Sequence, residues 1–563
     1  MIPAPGCQES GGTKVGLELS PRAVPAELVR HYRAAGFWDD STLGVMLVEN
    51  LTAHPRSRVR IWSQVRPYEG TIGDVTDLAR RVAGGLRRHG IGAGDVVSFQ
   101  FPNWVEAVAS FYAAALIGAV VVPIVHIYGA KEVGYILRES RSRAHLTAAG
   151  FAHLDYVGMM EGLAPALPDL EHIVVLGSGP PAGFETFADL AESPAIRAAA
   201  TVDPDAPAVL GYTSGTTANP KGVVHSHRSL LAEVRQLTYP APPLIAPLQV
   251  PPGNRPVLLG SPVSHATGML GALLSPVVRG DDINLIDRWD PGAVLSAMLE
   301  GNLTSGGGAT YFLTSLLDHP DLSHEHLERM RYVGLGGAPI PAAVADRAAA
   351  KGISLVRAYG STEHPSVTGS AHGDPAHQRL HTDGRAMRGV EIRIVAPDGS
   401  NADVGDPGEV HTRGPELFIA YTDAALTTER VDRDGWYATG DIGVLDELGF
   451  LTVTDRTSDV IIRGGENISA AEVEELMTAL PGVAEVAVVA APDLRLGEHA
   501  CAFIRPAPSA LPPDIDAVRH HLESAGLARQ KWPEELRLVE DFERTASGKI
   551  KKFVLRQRLS LTS

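Results

Sequence analysis

The sequence predicts an α/β protein, with a large N-terminal unit of layered sheets and helices and a smaller α+β unit behind it. Three observations carry this expectation. Helix-like and strand-like patterns alternate over most of the 563 residues, and that alternation builds largely parallel sheets between helical layers. A content of 44% hydrophobic and 20% charged residues can bury a large core. From Thr454 the texture changes: the polar, Gly-containing stretch TDRTSDVIIRGGENIS leads into a shorter unit with its own helix and strand signals.

The elements follow in order. The N-terminal MIPAPGCQESGGTK has Pro, Gly and polar residues where a signal peptide needs an apolar run, so residues 1–20 read as a loose arm. Val75, Leu78, Val82 and Leu86 recur at helical spacing, GIGAG (90–94) breaks that helix, and VVSFQ (96–100) reads as a strand. Ala107 to Val125 holds nineteen uncharged residues, matching the roughly 18–20 needed to cross a membrane. Gly118 and the β-branched run Val120–Val122 point instead to a buried helix, a turn and a buried strand. IVVLGSGPPAG (173–183) imitates a dinucleotide fingerprint, but Pro180 and Pro181 lack the N–H groups that a pyrophosphate needs. In the tail, Val473, Leu476 and Met477 mark a helix face, VAEVAVVAA a strand, and KIKKFVLRQR a basic end. The expected units are 21–455, a hinge at 456–459, and 460–563.

Charge and cysteine content narrow the function. With 49 Lys+Arg against 66 Asp+Glu, the net charge is −17, the wrong sign for a nucleic-acid partner. Cys7 and Cys501 are the two cysteines, too few for a disulfide scaffold or a cysteine-built metal site, and they fit a reducing cytosol. A cytoplasmic protein without an integral span is expected, with peripheral membrane contact and homo-oligomerisation left open. His372, His377 and His381 with Asp374 could ligate a metal, but nothing in their polar loop fixes a geometry. No G-x-S-x-G elbow supplies a hydrolase nucleophile.

The segment richest in chemistry is YTSGTTANPKG (212–222). Glycines let backbone N–H groups turn inward, hydroxyls donate to phosphate oxygens, and the Lys221 ammonium adds charge. A Ser/Thr/Gly surface loop shares this composition. A Walker A loop does not fit, because Gly222 and Val223 follow Lys221 where a hydroxyl must reach Mg²⁺.

TSGTTANPKG resembles the phosphate loop of the acyl-adenylate-forming superfamily, which includes acyl-CoA synthetases, peptide-synthetase adenylation domains and luciferases. Five further segments similar to that family's motifs follow in order: GGAP (336–339), YGSTE (359–363), WYATGD (436–441), DRTSD (455–459) and RTASGK (544–549). The similarity runs from about residue 45 to about residue 560. It implies a two-step reaction on ATP, Mg²⁺ and coenzyme A, and a small C-terminal domain that moves. ATP or AMP would be held by Thr213, Ser214, Gly215, Thr216, Thr217 and Lys221, by Gly337, Ala338 and Pro339, and by Tyr359, Gly360 and Ser361. Asp441 would take the ribose hydroxyls and Arg456 the ribose and phosphates. Thr362 would touch the α-phosphate, and Glu363, with Thr216 as a second candidate, would hold Mg²⁺. Lys549 would stabilise the charge that develops as pyrophosphate departs. The hinge position falls on Ser458, where relatives mostly carry Asp or Lys, and Gly464 and Gly465 match the loop that approaches the pantetheine arm.

The acid is less determined. PVSHATGM (262–269) resembles the motif before the acyl site, which makes His265 a catalytic and pocket candidate. Ala266 stands where amino-acid-activating relatives place an Asp, and a buried ammonium without that partner would be costly. Gly and Ala dominate the expected acyl pocket of His265, Ala266, Thr267, Gly268, Gly308, Ala309 and Gly336, which suggests a roomy apolar cavity or glycines spent on backbone turns. The expected function is an ATP-dependent acyl-CoA synthetase for a medium- or long-chain fatty acid or a bulky alicyclic acid such as a steroid side-chain acid. The rivals are an acyl-AMP ligase that loads a carrier protein and an inactive nucleotide-binding scaffold.

Overall fold

The computed structural model describes residues 19–560, apart from 178, 214–219, 240–254, 339, 457–458, 464–465, 494–496, 509, 526, 528 and 546–547. Its centre is an eight-stranded sheet in the order Ala420–Tyr421, Lys221–Ser226, Pro207–Thr213, Val120–Pro123, Val96–Gln100, Ala144–Ala148, His172–Leu176 and Glu185–Thr186. From Pro207–Thr213 to Glu185–Thr186 neighbouring strands run parallel; the other two pairings are antiparallel. Parallel strands need helices on the faces, and the sequence supplies them. Helix Ile72–Arg88 carries Val75, Val82 and Leu86 on its buried side and starts with a capping box, in which Thr71 and Asp74 satisfy each other's backbone N–H groups. Helix Val105–Leu116 is buried on every side, which is why its sequence mimics a membrane span. It ends at Ile117, Gly118 turns with φ 73°, and the strand Val120–Pro123 enters the sheet. Among the described residues no helix is long and apolar enough to cross a membrane.

Among the described residues the large unit also holds three four-stranded sheets and a two-stranded ribbon, Gly150–Phe151 with Leu154–Asp155. The sheet that matters for the site pairs Tyr332–Gly336 with Ser354–Tyr359 in parallel, with Gly336 beside Ala358. The GGAP and YGSTE segments therefore leave the same end of two adjacent strands. A second, antiparallel sheet runs Glu391–Val395, Gly408–Arg413, Tyr437–Leu445 and Leu451–Arg456. Arg456 is thus the last residue of a strand, opposite Asp441. The next strand, Ile461–Arg463, belongs to a separate five-stranded sheet. That small unit has its own core of Ile461, Val473, Val488, Ile504, Val518 and Leu522, each fully buried.

The basic end is not one solvated cluster. Lys552 is paired with Glu474 at 2.8 Å inside the small unit. The two segments set aside above also resolve into structure. The strand His172–Leu176 is followed by the edge strand Glu185–Thr186, and no helix opens at Gly177, Gly179 or Gly183. His372 bonds Ser354 at 2.9 Å, whereas His381 pairs with Asp346 at 3.2 Å.

Candidate active site

Two hairpin strands bring Thr213 and Lys221 opposite each other at the open end of Pro207–Thr213 and Lys221–Ser226. Ser214, Gly215, Thr216 and Thr217 between them lie outside the described residues, as do Pro339, Ser458, Gly464 and Gly465. Gly222 packs against Thr422, and a Cβ there would come within 2.7 Å of the Thr422 side chain.

The YGSTE segment is a tight turn at the end of strand Ser354–Tyr359. A Cβ on Gly360 would lie 1.9 Å from the Pro365 carbonyl oxygen, so only glycine fits. The Ser361 N–H donates to the His364 carbonyl at 2.9 Å, and the His364 N–H donates back to Ser361 Oγ at 3.2 Å. The Thr362 carbonyl is 2.7 Å from His225 Nε2, which makes that nitrogen the protonated one. Burial lowers the His225 pKa to about 4, so the ring is neutral and oriented. The Phe418 N–H donates to the Glu363 carbonyl at 2.9 Å, and the Tyr421 hydroxyl donates to Glu363 Oε1 at 2.8 Å. Thr362 and Glu363 are therefore positioned by His225, Phe418 and Tyr421, residues that no sequence motif announced.

Asp441 is buried, and both its oxygens are engaged. The Tyr359 hydroxyl donates to Oδ2 at 2.6 Å, and Arg456 Nε lies 2.9 Å from Oδ1. Burial, with the Asp441 charge beside it, pushes the Tyr359 phenol well above its usual range. Asp441 raises the Arg456 pKa in turn.

Lys549 arrives from the small unit on a turn in which Thr545 N–H donates to the Lys549 carbonyl at 2.7 Å, and Lys549 N–H donates to Thr545 Oγ1 at 3.1 Å. Gly548 holds φ 86° and presses on the large unit, where a Cβ would meet Ala309 at 3.4 Å and Tyr311 at 3.6 Å. The Arg544 guanidinium lies 4.9 Å over the Tyr311 ring. The Lys549 ammonium, surrounded by protein, is lowered to about 8 by desolvation and then by Arg456, with Asp441 and Glu363 opposing. Desolvation first, and then Lys549, lowers His265 to about 4. Lys549, His265, Glu363, Asp441 and Arg456 thus share one electrostatic environment, although more than 300 residues separate Lys221 from Lys549.

Beside this cluster lies a small cavity of about 30 Å³ lined by Pro123, Val209, Leu230, Met269, His265 and Ala266, with Thr362 also at its wall. Thr267 is exposed, and Gly268 packs against Pro262, whose carbonyl oxygen a Cβ would approach to 2.0 Å. Gly308 and Gly336 serve backbone pairing: Gly308 N–H donates to Gly334 and Gly336 N–H to Gly308, at 3.0 and 2.9 Å. Ala309 faces Gly548. Gly268, Gly308 and Gly336 are thus used for close approaches and backbone pairing. His265 and Ala266 do reach the apolar space.

The donor set at Glu363 suits a hard cation. It is a part-buried carboxylate held by one phenol, with no cation paired to it among the described residues, and Mg²⁺ takes oxygen ligands of this kind.

Comparison with known proteins agrees with this arrangement. Residues 48–422 match the AMP-binding enzyme family, and residues 472–549 match the AMP-binding enzyme C-terminal domain. A medium-chain fatty-acid–CoA ligase of Escherichia coli (strain K12) is 32% identical over 529 residues, covering 93% of this chain and 92% of its own. In Rhodococcus jostii (strain RHA1), a CoA ligase named for a methyl-dioxo-octahydroindenyl propanoyl group is 31% identical over 86% of this chain and 93% of its own. The crystal structure of an anthranilate CoA ligase in complex with anthranoyl-AMP superposes with a TM-score of 0.81 at 26% identity, covering 93% of this chain and 98% of that one. The chain belongs to the AMP-binding, acyl-adenylate-forming enzymes and, within them, to the acyl-CoA ligases.

Proposed function

We propose that this enzyme converts an apolar carboxylic acid, medium- to long-chain fatty or bulky alicyclic, into its CoA thioester in two steps. In the first, a carboxylate oxygen attacks the α-phosphorus of ATP, the bond from that phosphorus to the α,β-bridging oxygen breaks, and pyrophosphate leaves. In the second, the CoA sulfur attacks the acyl carbonyl, AMP leaves, and the thiol proton is released. The observation that carries this reading is the placement of Lys549: an ammonium from the small unit, among Asp441, Arg456, Glu363 and His265.

In this reading Lys549 stabilises the oxygens that gain charge as pyrophosphate departs. Asp441 takes the ribose hydroxyls once Tyr359 or Arg456 yields its oxygens, and Thr362 holds the α-phosphate. Mg²⁺, held by Glu363 with Thr216 as second candidate, would neutralise triphosphate charge. His265, neutral near physiological pH, lines the entry to the acyl space. The unit 460–563 then turns on the hinge 456–459 about Ser458, and Gly464 and Gly465 approach the pantetheine arm.

The apolar lining and the uncharged Ala266 support an acid without an ammonium group. The E. coli and Rhodococcus relatives, named for a medium-chain and a fused-ring acid, support the size classes. The cavity has room for about two water molecules, so the Met269 side chain at its wall would have to move to admit an acyl chain. Methionine, unbranched and adaptable, suits that movement. The test is an acid panel with ATP and CoA, read by mass spectrometry of the thioesters. Fatty or alicyclic thioesters are expected. Preference for acetate or an amino acid overturns the acid class, and acyl-AMP that is transferred to a phosphopantetheinyl carrier protein but never to CoA overturns the acceptor.

A further inference from the structure

Three side chains of metal-ligating type converge outside the nucleotide motifs, where the helix Ile72–Arg88 ends against the edge of the eight-stranded sheet. His89 terminates that helix, His172 opens the strand His172–Leu176, and Glu185 opens the edge strand Glu185–Thr186. The Glu185 carboxylate faces both rings, with Oε2 2.7 Å from His89 Nε2 and Oε1 3.1 Å from His172 Nδ1. One ligand atom from each residue lies within 4.8 Å of the others. The imidazole centroids are 4.4 Å apart.

Hydrogen bonding alone does not account for the group. His172 Nδ1 is hydrogen-bonded to Glu185. His89 Nε2, shielded from solvent, has no partner in hydrogen-bonding geometry despite its short approach to the carboxylate. Bond lengths of about 2.0–2.1 Å around a tetrahedral ion set ligand atoms roughly 3.3 Å apart, close to the 2.7 and 3.1 Å between the carboxylate and the two rings. Arg143 is taken by Asp95 and Glu171 at 2.9 and 2.5 Å, and Arg88, next to His89, donates to the Asp189 carbonyl at 3.2 Å. All three ligands are part-exposed, which leaves a fourth position for water.

We propose that His89, His172 and Glu185 bind a divalent transition-metal ion of the Zn²⁺ type. Two imidazoles and a carboxylate favour such an ion over Mg²⁺, whose preference is for oxygen alone. The ion would tie the end of a helix to an edge strand and close the loop between His172 and Glu185. The role is structural, and it is independent of the acid, acceptor and mechanism proposed above.

The test uses the full chain, stripped with chelator and titrated with Co²⁺ by visible absorption and with Zn²⁺ by calorimetry. The wild type is expected to bind one Co²⁺ with the intense bands of a tetrahedral site, to bind Zn²⁺ in competition, and to gain thermal stability from Zn²⁺ but not from Mg²⁺. His89→Gln, His172→Gln and Glu185→Gln should each weaken that site at least about 100-fold, the upper end of the cost of losing even an outer-sphere partner. The far-ultraviolet circular dichroism and a cooperative thermal transition should persist in these variants and serve as the check that they fold. If one variant fails that check, the other two decide. No binding in the micromolar range, or a Co²⁺ spectrum unchanged in the folded variants, overturns the proposal.

Discussion

A lysine ammonium lowered to about 8 sets a pH limit on the first step. Below that value free enzyme carries the charge that the proposed first step would use; above it the charged fraction falls tenfold per unit. Adenylation kcat/KM, followed by pyrophosphate exchange, should therefore decline above about pH 8. Lys549→Arg should lose most activity through misplacement, yet show no such decline, because guanidinium stays protonated. A wild-type profile flat to about pH 10 would mean that Lys549 keeps the ordinary lysine value of about 10.4 and is not lowered by its surroundings. Tyr421 gives a second residue-scale expectation. Its hydroxyl is bonded to Glu363, and a bond to a charged group is worth about 1.5–3 kcal/mol. Tyr421→Phe should slow adenylation roughly tenfold and raise the Mg²⁺ concentration needed for half-maximal exchange; an unchanged Mg²⁺ requirement disconnects Tyr421 from the metal. Lys549 and Glu363 were legible because each sits in a short motif. His225 and Tyr421 were not, since they act through single hydrogen bonds to residues 137 and 58 positions away.

At the scale of elements, the turn after strand Ser354–Tyr359 depends on Gly360. A Cβ there collides with the Pro365 carbonyl, so Gly360→Ala must displace Thr362 and Glu363, and a shift near 1 Å can cost about 100-fold in rate. That loss is expected in exchange assays with the far-ultraviolet circular dichroism unchanged; full activity would mean that the turn does not position the α-phosphate. Just below this turn is a buried carboxylate pair. Burial raises both Glu233 and Glu416 to about 8. Ser366 donates to Glu233, and His364 Nε2 lies 3.2 Å from Glu416. Both folded values exceed the unfolded value of 4.5, so the folded protein holds protons that the unfolded chain releases. Stability must fall as pH climbs from about 4.5 through about 8. Glu416→Gln should flatten that fall in thermal midpoint; a slope equal to wild type would place the cause elsewhere.

The whole molecule contributes the closure that brings Lys549 to its partners. Arg544 over Tyr311, Gly548 against Ala309, and the Ala342 N–H donating to Glu475 at 2.8 Å join the small unit to the large one. A cation–π contact of about 0.5–2 kcal/mol makes Tyr311→Ala a measured disturbance of closure. The first step should slow roughly two- to thirtyfold, while thioester formation from synthetic acyl-AMP keeps its rate. Equal slowing of both half-reactions would show that Tyr311 does not act through this closure.

The sequence by itself determined the α/β class, the order of the nucleotide motifs and the apolar helix–turn–strand at 107–125. Each is written in a local signal: periodicity, glycine at a turn, or a run of adjacent functional groups. Only the tertiary structure decided that the pocket glycines serve close backbone approach, that Asp441 is shared by Tyr359 and Arg456, and that His89, His172 and Glu185 meet. Those outcomes depend on how strands distant in the chain are ordered in a sheet and how two units close. Pairing of that kind is set by packing over the whole chain, and no short segment carries it.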